Sequence, residues 1–179
     1  MEKKGLVLVH TGDGKGKTTA ALGLAMRAWG DGLKVIILQF IKGGWKYGEL
    51  KTIEELGRLS DDRIRVEQCG LGFTNTGKAS MEEHRAAAQE ALGKARKALQ
   101  EHECDLLILD EMNYAVKYEL VTESEMLELL DMRPADMHLV MTGRDACQAL
   151  IERADLVTEM KLIKHPYDQG VQAQMGIEY

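Results

Sequence analysis

The sequence predicts an α/β fold in which helices cover both faces of a mostly parallel sheet. Short apolar segments alternate with longer segments of helical period throughout the 179 residues, which is the pattern of repeated βαβ units. Several apolar segments are unbroken runs of Val, Ile and Leu, such as residues 35–38 and 106–109, and strands buried on both faces have this composition. We expect a chain of this length to form one globular domain over residues 1–179.

Six strands and four helices follow from this pattern. The predicted strands are residues 5–10, 34–40, 63–68, 105–110, 137–142 and 155–163. The predicted helices are residues 18–28, 80–101, 123–132 and 145–153. The longest helix begins with Ser80 and Glu83, which have the spacing of a capping box, and its apolar residues recur at helical intervals. We therefore expect this helix to cover the sheet.

Two glycine-rich segments, residues 41–49 and 69–78, fit neither pattern. They carry the large aromatic residues Trp45, Tyr47 and Phe73. Each segment follows a predicted strand, at the edge where open α/β sheets bind their ligands. Such segments act as lids over a ligand, or their aromatic residues pack against the edge of the domain, and the sequence leaves both interpretations open.

Charge and composition exclude several functions. The chain has 23 Lys and Arg against 29 Asp and Glu, a formal net charge of −6, and the mixing of these charges argues against nonspecific nucleic-acid binding. No apolar run approaches the roughly 18 residues of a membrane helix. The N-terminus lacks the apolar core of a signal peptide, and three cysteines without a CxxC pair are typical of reduced thiols. We therefore expect a cytoplasmic protein.

The strongest motif is TGDGKGKTT at residues 11–19, between the first predicted strand and the first helix. In such a loop the backbone N–H groups point into one concavity, a lysine neutralises phosphate and a hydroxyl ligates Mg²⁺. The general pattern, GxxxxGK followed by Ser or Thr, requires glycine where Thr11 stands, so this loop is effectively shorter. The candidate nucleotide-binding residues of the loop are Gly12, Asp13, Gly14, Lys15, Gly16, Lys17, Thr18 and Thr19.

A second motif is the apolar run at residues 106–109 that ends in Asp110 and Glu111. In a parallel sheet the carboxyl end of this strand lies on the same edge as the phosphate loop. Asp110 or Glu111 is therefore predicted to meet a Mg²⁺ ion held by Thr18, and the sequence does not decide which carboxylate ligates it directly. Together the two motifs predict a P-loop NTPase-like, RecA-like fold.

Further motifs make the chain similar to a known family. HTGDGKGKTTAALGLAMRA is followed by QFIKGGW, GFT, LDEMNYA, TGR, ADLVTEM and KHPYDQGVQAQMGIEY. In this order they closely resemble the ATP:corrinoid adenosyltransferases of the CobA/BtuR/CobO type over nearly the whole chain. The shortened P-loop and the C-terminal motif are the most specific pieces, because generic P-loop ATPases lack them.

The resemblance implies an enzyme that transfers the 5′-deoxyadenosyl group of ATP to the Co(I) centre of a reduced corrinoid and releases triphosphate, in adenosylcobalamin biosynthesis or salvage. In the family ATP lies reversed in the P-loop, with its triphosphate held as a leaving group. Mg²⁺, with Mn²⁺ as an alternative, would be held by Thr18, Asp110 and Glu111. Lys17, Glu111 and Arg144 would be the catalytic residues.

The resemblance also implies roles outside the two motifs. Arg27 and His165 resemble positions near the nucleoside, although Arg27 also suits a solvated helix surface and His165 also suits a cap of the C-terminal tail. Phe73 resembles the corrinoid-binding aromatic that displaces the axial base of cobalt from the lower face of the ring. The family pattern GFTW is broken here by Asn75. The implied partners are an electron-donating reductase such as a flavodoxin and a second copy in a homodimer.

Two other functions remain open on the residues alone. An ordinary P-loop ATPase or phosphotransferase would use Glu111 to activate water or a hydroxyl, and would produce ADP. A nucleotide-dependent carrier would bind ATP and corrinoid without forming a cobalt–carbon bond. The products of turnover distinguish the three functions.

Overall fold

The computed structural model describes residues 4–44, 46–72, 74 and 79–178. Within them, six strands form one sheet in the order β3-β2-β4-β5-β1-β6, and every neighbouring pair is parallel. The strands are β1 (Val7–Thr11), β2 (Val35–Gln39), β3 (Ile64–Gln68), β4 (Leu106–Asp110), β5 (His138–Thr142) and β6 (Leu156–Glu159). All six predicted strands are confirmed, but β6 ends four residues earlier than predicted.

In the described part of the chain, six helices connect the strands, two more than predicted. They are α1 (Lys17–Gly30), α2 (Gly48–Arg58), α3 (Met81–Gln100), α4 (Met112–Lys117), α5 (Glu123–Met132) and α6 (Gln148–Arg153), with a short 3-10 helix at Pro166–Gln169. Ser80 and Thr122 form capping boxes at the starts of α3 and α5. The two helices that were not predicted, α2 and α4, begin without any side-chain cap, so no capping signal marks their starts in the sequence.

Helices cover both faces of the sheet, as predicted. One apolar cluster joins α3, α4, α5 and α6 to one face and contains Leu92, Leu107 and Met126. The other joins α1 and α2 to the opposite face and contains Ala21 and Ile37. Successive residues of a strand point to opposite faces, so β2 and β4, in which all five residues are buried, contribute to both clusters.

The two edge strands of the sheet, β3 and β6, are more exposed to solvent than the central strands, and β6 most clearly so. All four residues of β6 are exposed, and the chain beyond this strand carries further exposed apolar side chains. The exposed apolar residues of β6 and the following segment are Leu156, Val157, Leu162, Ile163, Tyr167, Val171, Met175 and Ile177. A patch of this kind is typical of an interaction surface. Among the described helices, none has the length and apolar character needed to cross a membrane.

Candidate active site

The phosphate loop folds around its own lysine. Gly12 and Gly16 adopt left-handed φ angles of 92° and 112°, a conformation in which glycine is favoured. The Lys17 ammonium donates hydrogen bonds to the carbonyl oxygens of Gly12 at 2.7 Å and Gly14 at 2.8 Å. Lys17 is the first residue of α1 and is buried, and this burial lowers its pKa. The loop therefore places a cation at the positive end of a helix, where anions bind.

The chain beyond β6 passes directly over this loop. Gly14 donates its N–H to the carbonyl oxygen of Met160 at 2.6 Å, and Met160 donates its own N–H to the carbonyl of Thr11 at 2.8 Å. A Cβ atom at Gly12 or Gly14 would lie 2.6 Å from the Met160 carbonyl oxygen. A close backbone contact thus requires glycine at these two positions.

Asp110, at the end of β4, is the centre of a buried polar cluster. Its Oδ1 accepts hydrogen bonds from the hydroxyls of Thr18 at 2.8 Å and Thr142 at 2.7 Å. Its Oδ2 accepts from the Gln39 side chain at 3.0 Å and lies 3.2 Å from the Lys42 ammonium. The structure therefore brings Asp110 and Thr18 together, as the two motifs predict.

Sequence reasoning missed Gln39, Lys42 and Thr142. The sequence does contain a signal for Gln39 and Thr142. They are the polar last residues of β2 and β5, which follow apolar runs as Asp110 does in β4. Gln39 is the register partner of Asp110 in the neighbouring strand. Side chains paired in this way point to the same face of a sheet, so a polar end on three parallel strands marks a common cluster.

Glu111 differs from Asp110 because its carboxylate has no hydrogen-bond or ion-pair partner among the described residues. It adopts a left-handed φ of 62°, and its N–H donates to the Thr142 hydroxyl at 2.9 Å. Burial, and next the charge of Asp110, raise the pKa of Glu111, while nearby cations including Lys17 oppose this shift. Within the described part of the chain, no hydrogen bond or ion pair to its carboxylate is formed. Glu111 is therefore the carboxylate available to an incoming cation.

The donor set at this edge fits Mg²⁺. The hydroxyl of Thr18 and the carboxylates of Asp110 and Glu111 are hard oxygen ligands, which Mg²⁺ prefers over nitrogen and sulfur. Over residues 4–44, 46–72, 74 and 79–178, no three His, Cys, Asp or Glu side chains form a ready-made metal cluster. Mg²⁺ is commonly held by one or two carboxylates together with substrate phosphates. Such a site therefore needs few protein ligands.

A cleft of about 1060 Å³ opens above these residues. It is lined by the phosphate loop, the start of α1, the segment after β2, α4 and the C-terminal segment. Small-molecule sites usually have volumes of roughly 300–1,000 Å³. The cleft is thus large enough for a nucleotide and part of a second substrate.

The described parts of the two glycine-rich segments lie side by side next to this cleft. Gly70 donates its N–H to the carbonyl of Lys42 at 3.1 Å, and Gly72 donates to the carbonyl of Ile41 at 2.8 Å. The hydroxyl of Thr74 lies 3.0 Å from the Tyr114 hydroxyl of α4. The first segment thus connects the Asp110 cluster to the second segment through backbone hydrogen bonds.

Comparison with known proteins identifies the family. A family model described as ATP:corrinoid adenosyltransferase BtuR/CobO/CobP matches residues 3–179. The chain belongs to this family. The corrinoid adenosyltransferase of Escherichia coli K12 is 38% identical over 178 residues, which are 99% of this chain and 87% of the relative. The corrinoid adenosyltransferase CobA of Salmonella typhimurium is 37% identical over the same shares of the two chains.

Solved structures with little sequence identity share the fold of this family member. The flagellar accessory protein FlaH of Methanocaldococcus jannaschii has a TM-score of 0.57 and 11% identity, over 88% of this chain and 71% of that chain. A KaiC-like protein of Pyrococcus horikoshii has a TM-score of 0.51 and 15% identity, over 90% of this chain and 75% of that chain. These likenesses concern the fold alone, and they confirm the predicted P-loop NTPase-like sheet.

The remaining residues implied by resemblance to the adenosyltransferases lie in different places. Arg144 lines the cleft, with its Nε 3.8 Å from the Asp13 carboxylate. His165 also lines the cleft, and its Nδ1 accepts the N–H of Tyr167 at 3.2 Å, so both of its interpretations agree with its position. Arg27 is exposed in the last turn of α1, and the described lining of the cleft does not include it.

Three further residues of the predicted lids lie outside the described part of the structure. They are Trp45 in the first glycine-rich segment and Phe73 and Asn75 in the second. The corrinoid-binding role of Phe73 therefore stays a prediction.

Proposed function

We propose that this cleft transfers the 5′-deoxyadenosyl group of ATP to the Co(I) centre of a corrinoid and releases inorganic triphosphate, in adenosylcobalamin biosynthesis or salvage. The observation that carries the proposal is the contact between Thr18 and Asp110 at 2.8 Å, which joins the phosphate loop to the carboxylate strand in a chain of this family. No observation favours an ATPase, a phosphotransferase or a carrier.

The protein need not supply a nucleophile in this reaction. The Co(I) centre of the substrate donates an electron pair to C5′ of ATP, so a cobalt–carbon bond forms as the C5′–oxygen bond breaks. That oxygen leaves with the bonding pair as part of triphosphate. The work of the protein is therefore to hold ATP, to stabilise the negative charge of the leaving group and to exclude water.

Cationic side chains at the bottom of the cleft suit this task. Lys17 lies at the N-terminus of α1, and Arg144 reaches the same cleft from the segment after β5. Fixed cations aimed at developing charge act strongly in a partly buried site, because they need little reorganisation during the reaction. We assign both residues to the triphosphate, with Gly12–Thr19 as its backbone cradle.

Thr18, Asp110 and Glu111 are the residues that would hold Mg²⁺, or Mn²⁺ in its place. When bound, the ion would neutralise charge on the departing triphosphate. Because Asp110 is already bonded to four side chains while Glu111 has no partner among the described residues, we assign direct ligation to Glu111. Asp110 would orient Thr18.

The proposal extends to the assembly and surroundings of the enzyme. We propose one adenosyltransferase domain over residues 1–179, two copies of it in a homodimer, a reductase such as a flavodoxin as electron donor and a cytoplasmic location. The exposed apolar residues of β6 and the segment after it support an additional subunit, since such a patch is unfavourable in water.

The decisive experiment identifies both products. The protein is incubated with ATP, Mg²⁺ and chemically generated cob(I)alamin, and the corrinoid and phosphate products are quantified separately. We expect adenosylated corrinoid and triphosphate in equal amounts. ADP and orthophosphate as main products without corrinoid would support the ATPase instead, and binding of both substrates without a cobalt–carbon bond would support the carrier.

A second experiment tests the assignment of Phe73. Phe73→Ala should impair the reaction that starts from Co(II) and a biological reductant, but should keep most activity when Co(I) is supplied directly. Asn75→Trp should raise the fraction of four-coordinate Co(II) seen by electron paramagnetic resonance. Equal losses in the Co(II) and Co(I) assays would remove Phe73 from the corrinoid site.

A further inference from the structure

Lys42 is a largely buried cation that the P-loop and carboxylate motifs do not include. Its side chain is 11% exposed, and its ammonium lies 3.2 Å from Oδ2 of Asp110, whose side chain is 1% exposed. The same ammonium lies 4.9 Å from the centre of the Tyr47 ring. Lys42 also lines the cleft together with Thr18 and Glu111. It is thus placed between the metal-binding oxygens and the space that ATP would fill.

Lys42 is the counterion of Asp110. A lysine on Asp110 balances the charge of a carboxylate that would otherwise be buried without a counterion, which is costly. A divalent cation held by Thr18 and Glu111 would repel the ammonium, because like charges a few ångströms apart interact strongly at a partly buried site. The triphosphate of ATP would attract the same ammonium and offer it a new partner.

We propose that Lys42 changes partner when substrate binds: it holds Asp110 in the metal-free enzyme and moves to the triphosphate when Mg²⁺ and ATP enter together. This inference rests on the proposed metal and nucleotide site. Lys42 would then be a substrate-binding residue that couples the binding of Mg²⁺ to the binding of ATP. Mg²⁺ alone would have to displace Lys42 from Asp110, whereas Mg²⁺ together with ATP would offer Lys42 a new partner.

The side chain of Lys42 can be changed without removing the hydrogen bond that its backbone forms. Its carbonyl oxygen accepts the N–H of Gly70, a bond that is independent of the side chain. Lys42→Met keeps the length and apolar stem while removing the charge, and Lys42→Arg keeps the charge. Lys46→Met is the matched control, because Lys46 lies in the same segment with an exposed side chain.

The first measurement is the binding of Mn²⁺ to the nucleotide-free full chain, followed by the electron paramagnetic resonance signal of free Mn²⁺. We expect Lys42→Met to bind Mn²⁺ about tenfold more tightly than the wild type, which is an ordinary size for coupling between two sites. Lys42→Arg and Lys46→Met should bind Mn²⁺ as the wild type does.

The second measurement is calorimetric binding of Mg²⁺·ATP in the absence of corrinoid, where no turnover occurs. We expect Lys42→Met to weaken this binding about three- to tenfold, since a charged contact to phosphate is lost. Tighter binding of Mn²⁺ together with weaker binding of Mg²⁺·ATP is the result that a change of partner by Lys42 predicts. If Lys42→Met weakens both, Lys42 has a structural role, and if it changes neither, Lys42 is a bystander; either result overturns the inference.

The outcome is separable from that of the proposed function. If adenosylated corrinoid forms but Lys42→Met leaves Mn²⁺ binding unchanged, only the role of Lys42 is wrong. If the binding changes occur as expected but the wild type forms no cobalt–carbon bond, only the proposed reaction is wrong. Absence of Mn²⁺ binding to both the wild type and Lys42→Met would overturn the inference together with the metal site.

Discussion

The wall of the cleft at the ends of β4 and β5 is buried and densely hydrogen-bonded, whereas the wall formed by residues 160–178 is exposed along almost its whole length. Asp110 alone contacts four side chains in the first wall. In the second wall only Met160, His165 and Glu178 are half-buried.

These three residues are the places where the exposed wall meets the site. Met160 is bonded to the phosphate loop, Glu178 forms an ion pair with Lys15, and His165 lines the cleft. Asp110 and Thr142, at the ends of their strands, are thus held mainly by the buried sheet. The opposite wall depends on a few anchors, and segments with so few buried contacts open at low cost in free energy.

The largest effect is expected for Lys17→Ala in the buried wall. Its ammonium is bonded to two loop carbonyls and is aimed at the phosphate site, so its loss should reduce adenosylation at least about 100-fold. The assay supplies Co(I) chemically, and circular dichroism verifies the fold. Turnover near the wild-type rate would contradict the phosphate cradle.

Asp110→Ala should cause the largest loss of stability in this wall. It would leave the largely buried Lys42 without its counterion and the hydroxyls of Thr18 and Thr142 without their acceptor. Removing one partner of a buried ion pair costs about 3–5 kcal/mol. Denaturant unfolding of Asp110→Ala and the wild type measures this loss. Asp110→Asn, which retains one acceptor oxygen, should lose less. Equal stability of Asp110→Ala and the wild type would show that the cluster does not stabilise the fold.

Glu111→Gln should change the free energy of unfolding less than Asp110→Ala does, and it should raise this free energy at neutral pH. Because the folded-state pKa of Glu111 is raised above its ordinary value of 4.5, its contribution to stability is present below pH 4.5 and is lost as the pH rises through the folded-state pKa. At about pH 7.5 the Gln variant should therefore be the more stable protein, by about 1 kcal/mol. The difference should disappear as the pH falls towards 4.5. Activity should fall in the same variant because a metal ligand is lost.

Thermal unfolding at several pH values measures this difference. A difference that persists unchanged at acidic pH would contradict the assignment, since it would not come from ionisation of Glu111.

The smallest effect on stability is expected in the exposed wall. Ile163 is 82% exposed, so Ile163→Ser should change the free energy of unfolding of the dilute protein by no more than about 0.5 kcal/mol. Ile108, which is completely buried, is the matched comparison, and Ile108→Ala should cost about 2–5 kcal/mol. A large loss for Ile163→Ser would show that this wall is covered. Sedimentation velocity would then show whether a second copy covers it.

Much of the fold could be predicted because its signals are local. The apolar runs of β2 and β4 identify central strands by composition alone, and the capping box at Ser80 marks the start of α3. The helix α4 has only six residues, and Glu111, the residue before its first turn, is in a left-handed conformation. Neither periodicity nor a capping signal reveals such a helix.

The phosphate loop, the carboxylate pair and the parallel sheet can be predicted from the residue order, because each depends on a few adjacent residues. The residues that surround them become clear only in the folded chain. Gln39 meets Asp110 through the register of two parallel strands, and Met160 meets Gly14 across 146 positions of the chain. Contacts of this kind depend on strand order and register, which a local pattern of residue types does not specify.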